Sequence, residues 1–134
     1  MAWKIVHHEK LGIIETIIEG RLSKEDMVEA AKATINEGIK QNVSSFLSNV
    51  SNLHESGNLL DLYEVVKLYK TLGVQPNWRK AVLIPNKSQI VEKMKFYESV
   101  SQTRGFKIKV FSDYNEATDW LTVSSYVSGK HLVS

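Results

Sequence analysis

Ile13-Ile14-Glu15-Thr16-Ile17-Ile18-Glu19-Gly20-Arg21-Leu22-Ser23-Lys24-Glu25-Asp26 is a strand that runs into a helix within a few residues, and it sets the architecture of the chain. Its first half is rich in β-branched residues and puts isoleucine on both faces, the pattern of an interior strand covered on two sides. Ser23 stands three residues before Asp26, a spacing that caps a helix amino terminus, and the acidic first turn suits the positive end of the helix dipole. Upstream, the apolar run Ala2 to His7 reaches Ile13 through Glu9-Lys10-Leu11-Gly12, whose polar residues and glycine suit a reversal. The two runs are expected to form an antiparallel hairpin.

Downstream, Met27, Ala31, Ile35 and Ile39, with Val28 and Gly38 beside them, recur at the spacing of one buried helical stripe that ends near Gln41-Asn42. Ser44 to Val50 reads as a strand and Ser51 to Asn58 as a loop. Leu59, Leu62, Val66 and Tyr69 line a second helix, which Leu60, Tyr63 and Val65 broaden into a heavily buried one, and Gly73, Pro76 and Asn77 end it. Ala81-Val82-Leu83-Ile84 is a continuous apolar run typical of an interior parallel strand, closed by Pro85. A third helix, capped by Asn86 or Ser88, carries Ile90, Val91, Met94 and Tyr97 and stops at Arg104-Gly105. Phe106 to Phe111 alternates with Lys107 and Lys109, so that strand has one solvated face or lies at an edge. Asp113 and Glu116 have capping-box spacing and open a short last helix with Ala117, Trp120 and Leu121.

The order predicts a single-domain α/β fold: a mixed, mostly parallel five-stranded sheet with about four helices and an N-terminal antiparallel hairpin. The domain is expected to span residues 1–123. Residues 124–134, with Tyr126, Val127, Leu132 and Val133 in no clear period, form a tail expected to pack on the domain or on a second copy, which would make a homodimer.

At 134 residues, 43% hydrophobic and 24% charged, the chain is the size and composition of one globular domain. A net charge of +2 argues against a nucleic-acid partner, and no run approaches the roughly 18 apolar residues of a transmembrane segment. The absence of cysteine rules out disulfides and thiolate chemistry and fits a reducing compartment, so a cytoplasmic location is expected.

The carboxyl ends of the parallel strands should gather four loops, Glu19 to Ser23, Ser51 to Asn58, Pro85 to Ser88 and Ser112 to Asn115, each leading into a helix amino terminus. Arg21, Asn52, His54, Ser56, Lys87 and Tyr114 on or beside those loops are the candidate edge for an anionic ligand or a partner. The competing reading is that the serines, asparagines and Asp113 cap their own helices. His7 and His8 are neighbours on a strand, point to opposite faces and cannot readily chelate one metal ion together. The chain carries no nucleophile elbow, Walker-type loop or Gly-x-Gly-x-x-Gly, and His54-Glu55-Ser56 is an adjacent triplet and not a triad built from separated positions. No cofactor, metal site or catalytic residue is predicted. Trp78, in the connection after Pro76, is either a partly exposed partner anchor or a plug for the bottom of the core.

The paired amino-terminal strands, Glu19 to Asp26, Lys80-Ala81-Val82-Leu83-Ile84 and above all Lys109-Val110-Phe111-Ser112-Asp113-Tyr114-Asn115-Glu116-Ala117-Thr118-Asp119-Trp120-Leu121 resemble the SpoIIAA-like family over roughly Lys4 to Leu121. That family is related in fold to STAS anti-sigma antagonist domains and to CRAL-TRIO lipid-binding domains. In STAS antagonists an Asp-Ser-Ser/Thr-Gly-type loop before helix two holds a serine whose phosphorylation switches partner binding. The matching stretch here is His54-Glu55-Ser56-Gly57, which makes Ser56 the candidate phosphorylation site, exposed and able to cap helix two. The resemblance implies a non-catalytic regulatory or ligand-binding module with a protein partner or a small anionic ligand. The alternatives are a carrier of a lipid or other apolar molecule and, third, an enzyme of unrecognised chemistry.

Overall fold

The computed structural model describes residues 3–86 and 88–131, with the side chains of residues 88 and 123–131 outside the description. The elements are β1 (Trp3–His8), β2 (Ile13–Arg21), α1 (Lys24–Gln41), β3 (Ser45–Glu55), α2 (Leu59–Leu72), β4 (Arg79–Leu83), α3 (Ser88–Thr103), β5 (Lys107–Phe111) and α4 (Tyr114–His131). They build one five-stranded sheet in the order β1-β2-β3-β4-β5, with β1 antiparallel to β2 and every other pair parallel. The expected α/β fold, amino-terminal hairpin and number of elements are all present.

Two cores sandwich the sheet. On one face Ile18, Val50, Val82 and Ile108 meet Met27, Leu62, Val66 and Met94 from α1, α2 and α3. On the other, Ile13, Leu47, Ala81 and Leu83 meet Ala117 and Leu121 of α4. β2 therefore supplies isoleucine to both cores, and β5 lies at the edge with Lys107 and Lys109 exposed.

Four expectations are corrected. First, the segment read as a loop from Ser51 continues β3 to Glu55, in register with β2 through Glu19↔Asn52, Gly20↔Leu53 and Arg21↔Glu55. Burial of Val50 and Leu53 holds it to the core. An irregular register, aided by Gly20 at φ +70°, spoils the two-residue alternation that would have marked it as strand. Second, the buried stripe of α1 holds Met27, Ile35 and Gly38 as expected, with the Phe46 ring in front of Gly38, but it also takes in Ala30 and leaves Ile39 57% exposed. Third, α2 buries one narrow stripe, Leu62, Val65, Val66 and Tyr69, while Leu59, Leu60 and Tyr63 face outward. Fourth, α4 is not short: it runs through His131 and takes in most of the segment read as a tail, whose expected packing lies outside the described residues.

Candidate functional site

Beneath α2 and α3 the first core does not close. A cavity of about 120 Å³ lies between those helices, α1 and the sheet. Met27, Leu62, Val65 and Met94 line its apolar body, and Trp78 closes its floor against Phe46, the two ring centroids 4.7 Å apart. Trp78 thus plugs the bottom of the core while remaining partly exposed. For scale, an engineered void of about 150 Å³ holds benzene, so this smaller one sets a single ring or a short branched chain as the upper limit of what it holds.

One part of the cavity is polar. Lys80 precedes Val82 by two residues on β4, so the alternation of a strand sends its side chain to the same face as that core valine. There Lys80 Nζ donates to the Tyr97 hydroxyl at 2.6 Å, and the Tyr97 hydroxyl is hydrogen-bonded to that of Tyr69. The ammonium also sits 4.9 Å and 5.6 Å from the ring centroids of Tyr97 and Tyr69, a cation–π arrangement. Burial, and then the neighbouring Tyr69, push the Tyr97 phenol well above the ordinary tyrosine range, so it stays neutral. All three residues line the cavity. The arrangement can hold an apolar body while offering hydrogen-bond donors to one polar group.

The residues singled out from sequence lie elsewhere, with one exception. Arg21 is 85% exposed and pairs with Glu55, Nε to Oε2 3.4 Å, along the β2–β3 extension that also carries exposed Asn52 and His54. Tyr114 opens α4 beyond the opposite edge strand, and no hydrogen bond or ion pair among the described residues joins it to that extension. Lys87 lies outside the described residues. Arg21, His54 and Glu55 do not line the cavity; Ser56 does.

Ser56 is not the exposed cap that its loop suggested. It is 7% exposed and its hydroxyl donates to the Gly57 carbonyl, because Leu53 before it and Leu62 after it pull the segment inward. Asn58 caps α2, accepting from Asp61 N at 2.9 Å while Asp61 answers at the Asn58 N–H. Ser23 and Asp26 form the same box on α1, and Asp113 accepts from Glu116 N at α4. These helix starts spend capping donors on their own side chains, the competing reading of the carboxyl edge. Ser56 is therefore buried at the start of α2 and not on the exposed loop where its sequence placed it.

A second polar cluster was also unforeseen. Glu15, only 5% exposed, lies 2.7 Å from His8 Nε2 and accepts from Asn49 Nδ2 at 2.9 Å, while Asn49 Oδ1 accepts from Ser51. It is a closed network that ties β1, β2 and β3 together. Among the described residues no three metal-ligating side chains converge, and no helix is long and apolar enough to cross a membrane.

The fold has known counterparts. An uncharacterised protein of the DUF3478 family with a SpoIIAA-like fold, from Shewanella loihica PV-4, matches with a TM-score of 0.56 at 20% identity, over 90% of this chain and 92% of that one. The anti-sigma factor antagonist SpoIIAA in its unphosphorylated form matches with a TM-score of 0.55 at 18% identity, over 88% of this chain and 96% of that one. At these identities the likeness is one of fold. No curated protein matches the chain. A family model described as SpoIIAA-like matches residues 13–122, and the chain belongs to the SpoIIAA-like family.

Proposed function

We propose that this chain is a non-catalytic binding module that takes a small apolar molecule into the cavity beneath α2 and α3. The observation that carries this reading is an apolar void inside the larger core with a lysine and two tyrosines set into its wall. Small-molecule sites have that composition: mostly apolar walls and a few placed polar groups. The size favours a ring-sized ligand over a long acyl chain, which narrows the lipid-carrier alternative to short or compact molecules.

The test is thermal unfolding of the full chain with toluene, benzoate and short branched acids. A ligand bound only by the folded state stabilises it by about 2.7 kcal/mol at a hundred times its dissociation constant. At least one of these probes is expected to raise the melting temperature. Val65→Phe, which adds volume to the cavity wall, should abolish the rise. If no probe raises it, or Val65→Phe responds like the native chain, the reading fails.

A second reading rests on a different observation. Leu59, Leu60, Tyr63 and Leu68 of α2 are exposed large apolar side chains, and such a face suits a protein partner. Sedimentation of the native chain beside Leu60→Asp tests its self-associating form. The same monomer mass for both would leave that face as ordinary surface.

A further inference from the structure

The hydrogen-bond inventory at the polar part of the cavity does not close on itself. Lys80 Nζ donates to the Tyr97 oxygen, and the Tyr97 and Tyr69 hydroxyls share one hydrogen bond. A phenol has one proton to give and an ammonium has three. Whichever tyrosine donates to the other, one phenolic proton is left over, and the ammonium keeps two. Among the described residues no acceptor takes these protons, and no carboxylate pairs with Lys80. The half-buried ammonium lies over the faces of the two rings. Lys80, Tyr69 and Tyr97 therefore present a surplus of donors and a positive charge to a cavity lined mostly by apolar side chains, with Arg79 and Lys107 also on its wall.

Resting on the cavity reading above, we propose that the ligand carries a carboxylate, which seats against Lys80 Nζ and the free phenolic proton of the Tyr69–Tyr97 pair. A carboxylate accepts up to about four hydrogen bonds and neutralises the ammonium. A hydrocarbon would do neither. The body of the ligand occupies the space beside Met27, Leu62 and Met94. An aromatic or short branched carboxylate matches both size and charge.

Benzoate and toluene separate the two parts of this assignment, since they share a ring and differ in a carboxylate against a methyl group. Calorimetric titration of the full chain at pH 7 should give benzoate a dissociation constant about ten-fold or more below that of toluene, the ordinary advantage of charged hydrogen bonds. Lys80→Met keeps the aliphatic stem and should bring the two ligands to similar affinity. Lys80→Gln, which removes the charge while keeping a polar stem, should narrow the gap in the same direction, which keeps a variant available if Lys80→Met does not fold. Equal affinity of both probes for the native chain overturns the carboxylate assignment and leaves the cavity reading standing. Binding of neither, with no rise in melting temperature from the short branched acids, overturns both. A benzoate preference that survives in both variants places the carboxylate elsewhere and overturns the assignment.

Discussion

The Lys80 ammonium donates to the Tyr97 hydroxyl at 2.6 Å, inside a cavity and with Tyr69 hydrogen-bonded beyond it. Tyr97 is buried and its phenol is held well above the ordinary tyrosine range, chiefly by burial. An unfolded chain gives up this proton near pH 10, whereas the folded chain keeps it. Above that pH the unfolded state binds fewer protons than the native one, so stability must fall as pH rises toward the folded value. One such group contributes a slope of up to about 1.4 kcal/mol per pH unit. Denaturant titrations from pH 8 to 11 should show this loss in the native chain and a shallower one in Tyr97→Phe. Parallel curves would mean that Tyr97 ionises as readily in the folded protein as in the unfolded one.

The start of α2 yields a contrast between two polar residues two positions apart. Asn58 satisfies the backbone N–H of Asp61, while the Ser56 hydroxyl bonds only to the adjacent Gly57 carbonyl. Asn58→Ala should cost about 1 kcal/mol and Ser56→Ala a few tenths at most. Chemical denaturation measures both. A larger loss at Ser56 than at Asn58 would restore Ser56 as the residue that organises this helix start.

Ser101 is fully buried in α3, and its Oγ is the one buried side-chain polar atom without a hydrogen-bond partner among the described residues. An unsatisfied buried hydroxyl costs about 1–3 kcal/mol, and alanine is also the better helix former. Ser101→Ala should therefore stabilise the protein by about 1 kcal/mol, read as a higher denaturation midpoint at unchanged slope. A lower midpoint would show that the hydroxyl has a partner.

Local signals read from sequence located the elements well. The Ser23 and Asp26 spacing, the β-branched run of β2 and the lysine alternation of β5 each act through neighbouring backbone, and each appears in the structure as read. The misread parts depend on contacts between distant segments. Leu53 makes strand of an apparent loop because β2 lies beside it, and Ile39 is left outside the stripe that its spacing suggested. The site was hidden for the same reason. Tyr69 and Tyr97 were legible as core residues, yet nothing local says that their hydroxyls meet. The one available sign was Lys80, a charge two residues before Val82 at a core-facing position of an interior strand. The six residues chosen at the carboxyl edge were selected for polarity near helix starts, a feature that capping alone produces.

Met27 and Met94 both line the cavity, and their Cε methyl groups are natural reporters of its contents. An aromatic ring seated between them shifts both resonances through its ring current. The measurement is a carbon-13 methyl-methionine spectrum of the full chain titrated with benzoate. Both methyl signals should move and saturate together with a single dissociation constant, and toluene should compete for the same shifts. Methyl signals that stay in place at saturating benzoate, or that move with different constants, would contradict a ligand site in this cavity.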